Sequence, residues 1–175
     1  EPYSQSASAD VQVEVGGAIS IEVDNGATEP DAVKNLVDLG QIKLNGGIVS
    51  KGLKVTVKTN TGVQDDVAYS LTMTTETANN ALINENGVEL PAGVPTQGTS
   101  AWGYALGSSL TDTTADITGW AAVPAKGSTP VELKASGNVP SAGHSEDTFV
   151  NFGATASNNQ KEGVYKGTVV FTATV

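Results

Sequence analysis

Residues 10–24 constrain the fold of this chain most, because apolar and polar side chains alternate along them. Such period-2 alternation predicts a β-strand with one buried face, here carrying Val11, Val13, Val15, Ile19, Ile21 and Val23. At ~3.3 Å per residue the run would extend for about 45 Å, roughly twice a usual strand. Gly16-Gly17 lies in its middle, where a bend or a change of pairing partner costs least. One half can therefore stay in its own sheet while the other pairs elsewhere, including in a neighbouring subunit.

The composition favours an all-β fold. The chain has 175 residues, 38% of them hydrophobic and only 5% aromatic, and helix formers are sparse relative to Gly, Thr, Ser and Val. This length is enough for one domain with a core built from Val, Ile, Leu and Ala. We predict an antiparallel immunoglobulin-like or jelly-roll β-sandwich with an N-terminal extension strand. Residues 1–9 would be a flexible leader, and residues 10–175 a single domain that includes the extension strand 10–15.

Turn signals divide the rest of the chain into roughly eight to ten short strands. The Asn86-Gly87 pair predicts a hairpin within residues 81–90. A short turn or helical piece is predicted near residues 30–36, followed by a strand that ends at Leu44. The last strand would place Tyr165, Val169, Phe171, Ala173 and Val175 on one face.

Charge excludes several classes of partner. The chain has no cysteine, and its nine basic residues, all lysines, face nineteen acidic ones for a net charge of -10. This balance disfavours nucleic acid and anionic lipid surfaces, and no segment approaches the ~20 apolar residues of a membrane span. The chain starts at Glu1 rather than Met, for which a removed signal peptide is the natural explanation. We therefore expect a secreted protein at the cell surface or outside the cell.

No residue pattern indicates catalysis or a cofactor. His144, the only histidine, lies in a polar loop, and no cysteine or second histidine accompanies it for zinc. Acidic residues gather at 24–31, 65–66 and 112–116 without the spacing of an EF-hand. Solvated loops explain all of these residues, so we expect neither an enzyme nor a metal site.

Three aromatic residues have two possible roles. Trp102 and Tyr104 lie on one predicted strand, and Trp120 lies in the next apolar patch. Together they could stack on a sugar ring, because amphipathic aromatic side chains suit such sites. They are equally the largest pieces available for the core. The alternative function is thus a secreted carbohydrate- or cell-wall-binding module.

Residues 10–15 also have two open interpretations. They can pair within their own domain, or they can complete the sheet of another copy, with Val11, Val13 and Val15 filling pockets. Burying three valines contributes about 5 kcal/mol before entropy costs. A head-to-tail contact of this kind does not close, so it builds a filament. Gly16-Gly17 would then be the joint between subunits.

Two segments carry a family resemblance, ADVQVEV at residues 9–15 and GVYKGTVVFTATV at residues 163–175. They resemble pilin subunits that assemble by donor-strand exchange, in which the leading strand of one subunit fills the groove of the next. The resemblance implies an incomplete immunoglobulin-like sandwich, an adhesive fimbria or pilus as the assembly, and a donor role for Val11, Val13 and Val15.

The C-terminal part is also similar to WxL-type bacterial surface domains, which attach to the cell wall. The similarity runs from Trp102-Gly103-Tyr104 through Asn151-Phe152-Gly153 to residues 165–168, with Phe171-Thr172-Ala173 where a second WxL is expected. It implies a surface layer, and host or cell-wall glycans as further partners.

Overall fold

The computed structural model describes residues 3–60, 69–138 and 145–175. Within these ranges the chain forms β-strands and one 3-10 turn, Thr114–Asp116, but no α-helix. The strands are β1 (Ile19–Asp24), β2 (Val49–Thr59), β3 (Tyr69–Thr75), β4 (Leu82–Ile83), β5 (Glu89–Leu90), β6 (Ala101–Gly107), β7 (Val131–Asn138), β8 (Ser145–Thr155) and β9 (Val169–Thr174). The predicted all-β class is confirmed.

The strands form antiparallel sheets, consistent with the predicted β-sandwich. The first sheet has the order β1-β2-β8-β6, and the second sheet has the order β7-β3-β9. Strands β4 and β5 form a separate hairpin. Its connection, residues 84–88, is longer than the two-residue loop that Asn86-Gly87 suggested.

The core lies between the two sheets. Strand β2 turns Leu53, Val55 and Val57 inward, and β3 turns Tyr69, Leu71 and Met73 inward, all nearly or fully buried. Each strand has one apolar face because its residues alternate, and that face is buried only if another sheet covers it. Full burial of each such side chain contributes roughly 1.5–3 kcal/mol.

Loop segments cover the outer edge of β6. Gly93 N–H donates to the Trp102 carbonyl at 2.8 Å, and Tyr104 and Ala121 exchange both backbone hydrogen bonds at 2.9 Å. This close approach requires glycine at position 103, since a Cβ there would lie 2.6 Å from the Gly93 carbonyl oxygen and nearer still to that of Ala121. The first sheet therefore has a paired edge at this end.

The long predicted strand forms only in its second half. Residues 19–24 make up β1, whereas residues 10–18 have no regular secondary structure. A strand needs a hydrogen-bonded neighbour to be stable, and no described strand lies beside residues 10–15. The predicted strand is therefore confirmed only over residues 19–24, and residues 10–15 have no strand partner in the described part of the chain.

The predictions for residues 30–44 are confirmed only in part. The predicted turn or helical piece forms as a turn, in which Ala32 N–H donates to the Glu29 carbonyl at 3.1 Å and Asp31 has a φ of 61°. The expected strand is reduced to a single bridge between Leu44 and Ala156. The apolar residues that suggested a strand still pack against the core, through Val37, Leu39 and Ile42.

A polar contact connects the two sheets at one end of the core. The Tyr69 hydroxyl donates to Glu146 Oε1 at 2.6 Å, and Lys134 Nζ lies 3.5 Å from the same oxygen. Burial, and then Glu146, raise the pKa of Tyr69 well above its ordinary value. Ionised tyrosine would place a second negative charge beside the carboxylate, so the fold favours the neutral phenol.

We expect Tyr69→Phe to destabilise the protein by about 1–2 kcal/mol near pH 8, because a partly buried hydrogen bond to a carboxylate is lost. The difference between the two proteins should shrink above about pH 10, where tyrosine ionises in the unfolded chain but not in the fold. The unchanged protein loses that stability as the pH rises, and the Phe variant does not. Urea unfolding of both proteins at about pH 8 and about pH 11 measures this. A difference that does not change with pH would contradict it.

Candidate functional site

The donor segment, defined as residues 10–15, lies outside both sheets with its apolar side chains in solvent. Val11, Val13 and Val15 are 94%, 86% and 81% exposed. No strand within the described residues pairs with this segment. Contiguous exposed apolar surface marks interaction sites in soluble proteins. The donor segment is therefore the first half of a candidate binding site.

Strands β1 and β9 make up the second half. They are end strands of the two sheets, and their Cα atoms approach within 8 Å. Within the described ranges β1 pairs only with β2, and β9 pairs only with β3. Their other edges carry backbone N–H and C=O groups that no described strand pairs, a template for strand addition. We call β1 and β9 together the open edge.

Core-facing side chains along the open edge are incompletely covered. Ile21 lies directly opposite the fully buried Val57, so it faces the core. Yet Ile21 and Ile19 are each 37% exposed. On the second sheet, Phe171 lies opposite the fully buried Met73 but is only partly buried itself. The open edge thus presents apolar surface that one more strand would cover.

The open edge is narrow. Neighbouring strands in a sheet lie ~4.8 Å apart, so a strand between β1 and β9 needs roughly 9.6 Å. The two strands approach more closely than that in places. An incoming strand must therefore move β1 and β9 apart there. Of the two, β1 has the more exposed side chains, with Ile19 to Glu22 all exposed.

The structure places the three predicted aromatic residues on different faces of the first sheet. Trp102 is 4% exposed and packs on the core side against Phe152, with ring centroids 6.4 Å apart. Tyr104 is partly buried on the same side, and burial raises its pKa. Trp120 covers the opposite face, where a Cβ on Gly153 would lie 2.6 Å from its ring. These residues do not form one stacking platform.

A small cavity beside Trp102 is lined by both polar and apolar residues. Its volume is about 200 Å³, below the usual range of ligand pockets. Thr75 Oγ1 donates to the Thr77 carbonyl, Thr77 Oγ1 donates to the Asn79 carbonyl, and Asn79 Nδ2 donates to Glu89. Three of the polar side chains that line the cavity are thus engaged in hydrogen bonds within the protein.

Other predicted candidates lie outside the described residues, namely His144 and the acidic pair at 65–66. Among the residues that are described, no three metal-ligating side chains come together. No helix in the described ranges has the length and apolar character to cross a membrane.

The fold and the site define a class: an antiparallel β-sandwich with an unpaired apolar segment and an incompletely covered edge. The chain matches no protein-family model and no curated protein sequence. The function is therefore inferred from the sequence and the geometry.

The alternation of residues 10–15 is visible in the sequence, whereas the identity of β1 and β9 as the open edge is not. Strand β9 places Val169, Phe171 and Ala173 inward and Val170, Thr172 and Thr174 outward, a pattern that interior and edge strands share. Whether its second edge is paired depends on which strands become neighbours in space. No local pattern in residues 169–174 carries that information.

Proposed function

We propose that this protein is a structural subunit of an extracellular filament or surface layer. Subunits join when the donor segment of one copy occupies the open edge of the next copy. The proposal rests on the presence of two incomplete features in one molecule. Residues 10–15 expose three valines without a strand partner among the described residues, and β1 and β9 expose core-facing side chains without full cover.

The two halves of the site match in length and pattern. The donor segment spans six residues, as do β1 and β9. In an added strand, Val11, Val13 and Val15 would all point to the core side, because side chains alternate. Burying them contributes about 5 kcal/mol, and backbone hydrogen bonds along the edge add to this.

Charge indicates that the donor segment pairs with β9 rather than β1. With its valines inward, the donor segment turns Asp10 and Glu14 outward. Strand β1 presents Glu22 and Asp24 on that same outer face, whereas β9 presents no charged side chain there. Like charges directly opposite each other on neighbouring strands are destabilising. The donor segment therefore extends the second sheet to the order β7-β3-β9-donor.

Such contacts join subunits into an open-ended polymer. The donor segment and the open edge are different surfaces, so each subunit can give one strand and receive another. No step of this assembly needs a cofactor or a bound metal.

Cysteine cross-linking tests the pairing, because the chain has no cysteine of its own. We mix a Gln12→Cys chain with chains that carry one cysteine on the outer face of β9, at Val170, Thr172 or Thr174. Adjacent strands bring such residues within disulfide distance. We expect at least one β9 position to form a disulfide between chains in high yield, and a Glu22→Cys chain on β1 to form much less.

The outcome separates the possibilities clearly. A high yield only with Glu22→Cys would move the donor segment to the first sheet and overturn the charge argument. No cross-link at any β9 or β1 position, in protein at filament-forming concentration, would contradict strand donation itself.

A further inference from the structure

Asn60 fixes the point at which the donor segment leaves the fold. Its Oδ1 accepts a hydrogen bond from Ala18 N–H at 2.6 Å, and its Nδ2 donates to the Gly16 carbonyl at 3.0 Å. The backbone N–H of Asn60 also donates to the Ala18 carbonyl at 3.2 Å. One asparagine thus holds residues 16–18 in line with β1, directly beyond the Ile19–Thr59 pair. The predicted joint at Gly16-Gly17 is restrained on one side.

Without this restraint the chain has a competing arrangement. Residues 16–18 are a three-residue, glycine-rich link, a length that β-hairpins commonly use. If the link turned back, the donor segment would run antiparallel to β1 of its own chain, with Gln12 opposite Glu22. Segments joined by a short link meet at millimolar effective concentration. Folding back would therefore outcompete donation to a second copy at ordinary protein concentrations.

We propose that Asn60 is a positioning residue that prevents this self-pairing and keeps the donor segment available to another copy. The restraint by Asn60 is a property of one chain. Only its biological role, which is to keep the donor segment free for another copy, rests on the proposed function. Charge acts in the same direction, since the hairpin would place Asp10 opposite Asp24. The side-chain hydrogen bonds of Asn60 hold the backbone, and the charges disfavour the alternative.

An intrachain disulfide measures the self-paired state directly. Cysteines at Gln12 and Glu22 would face each other in the hairpin, and an intrachain disulfide shifts mobility in a non-reducing gel. We compare this double-cysteine chain with the same chain carrying Asn60→Ala, at low protein concentration. We expect Asn60→Ala to raise the intrachain yield at least threefold and to slow filament growth of the cysteine-free chain by a similar factor.

Two further variants serve as controls. Asn60→Asp keeps an acceptor for Ala18 N–H but removes the donor to the Gly16 carbonyl. Its yield of intrachain disulfide should therefore lie between that of the chain with Asn60 and that of the Asn60→Ala chain. Asn86→Ala removes another exposed asparagine, in the β4–β5 connection, and should leave the yield unchanged. Thermal unfolding verifies that each variant keeps the fold.

The results test the role of Asn60 separately from the proposed assembly by strand donation. Equal intrachain yields with and without the Asn60→Ala substitution would overturn the role of Asn60, even if filaments form. A raised yield in a chain that forms no filaments under any condition would support the restraint and overturn strand donation.

Discussion

The Val13→Asp variant is expected to remain monomeric at concentrations at which the unchanged chain forms filaments. Val13 is the middle valine of the donor segment and is 86% exposed in the single chain, so the monomer loses almost nothing by the change. In the joined state the same position would face the core of the neighbouring copy. The variant forfeits roughly 2 kcal/mol of valine burial and must also bury an unpaired carboxylate. Together these terms remove most of the free energy of association.

Gln12→Asp is the matched control. It adds the same charge to the same segment one residue away, on the face that points outward when the valines point inward. We expect this variant to form filaments, with a modest dependence on salt. Electron microscopy and sedimentation of both variants measure the effect. Equal loss of filaments in the two variants would mean that net charge, rather than burial of the valine face, controls assembly.

Gly103→Ala is expected to destabilise the fold strongly, although it adds only one methyl group. The new Cβ would overlap the carbonyl oxygens of Gly93 and Ala121, and both are backbone atoms that cannot rotate away. The loops that cover the edge of β6 would have to move off, and the Tyr104–Ala121 hydrogen bonds would break. We expect a loss of about 3 kcal/mol.

Gly47→Ala is the control for Gly103→Ala, because a Cβ at Gly47 meets nothing within 4 Å and its φ is not positive. Urea unfolding in the Val13→Asp background keeps both variants monomeric during the measurement. We expect Gly47→Ala to stay within about 0.5 kcal/mol of its parent. A similarly small effect for Gly103→Ala would show that the loops over β6 are not tightly held.

Local periodicity predicted the interior of this fold well. Residues 53–58 of β2 and the whole of β3 alternate strictly, and their apolar residues are the ones that the opposing sheet buries. Residues 36–44 behave differently. Leu39 and Ile42 pack on the core, but among the described residues this segment forms only the Leu44–Ala156 bridge and no strand. Apolar spacing reports burial, whereas strand formation also needs a partner.

The candidate site, like the fold, could be predicted from the sequence only in part. The valines at 11, 13 and 15 were evident from the sequence because a segment that alternates must bury its face somewhere. The open edge and the restraint by Asn60 were not evident, because both depend on contacts between residues about 40 positions apart or more, such as Ala18 with Asn60. The sequence alone also does not define which face of the first sheet Trp102 and Trp120 cover, so their roles could not be predicted from it.

Mixing two assembly-defective variants tests the central claim most directly. Val13→Asp impairs the donor segment and leaves the open edge intact, whereas Ile21→Asp alters the open edge and leaves the donor segment intact. Each variant alone should be monomeric by native mass spectrometry. Mixed in equal amounts, they should form one-to-one dimers and nothing longer, because only one productive contact remains. A mixture that stays monomeric, or a Val13→Asp chain that polymerises by itself, would contradict the claim that one copy's leading valines complete the sandwich of the next.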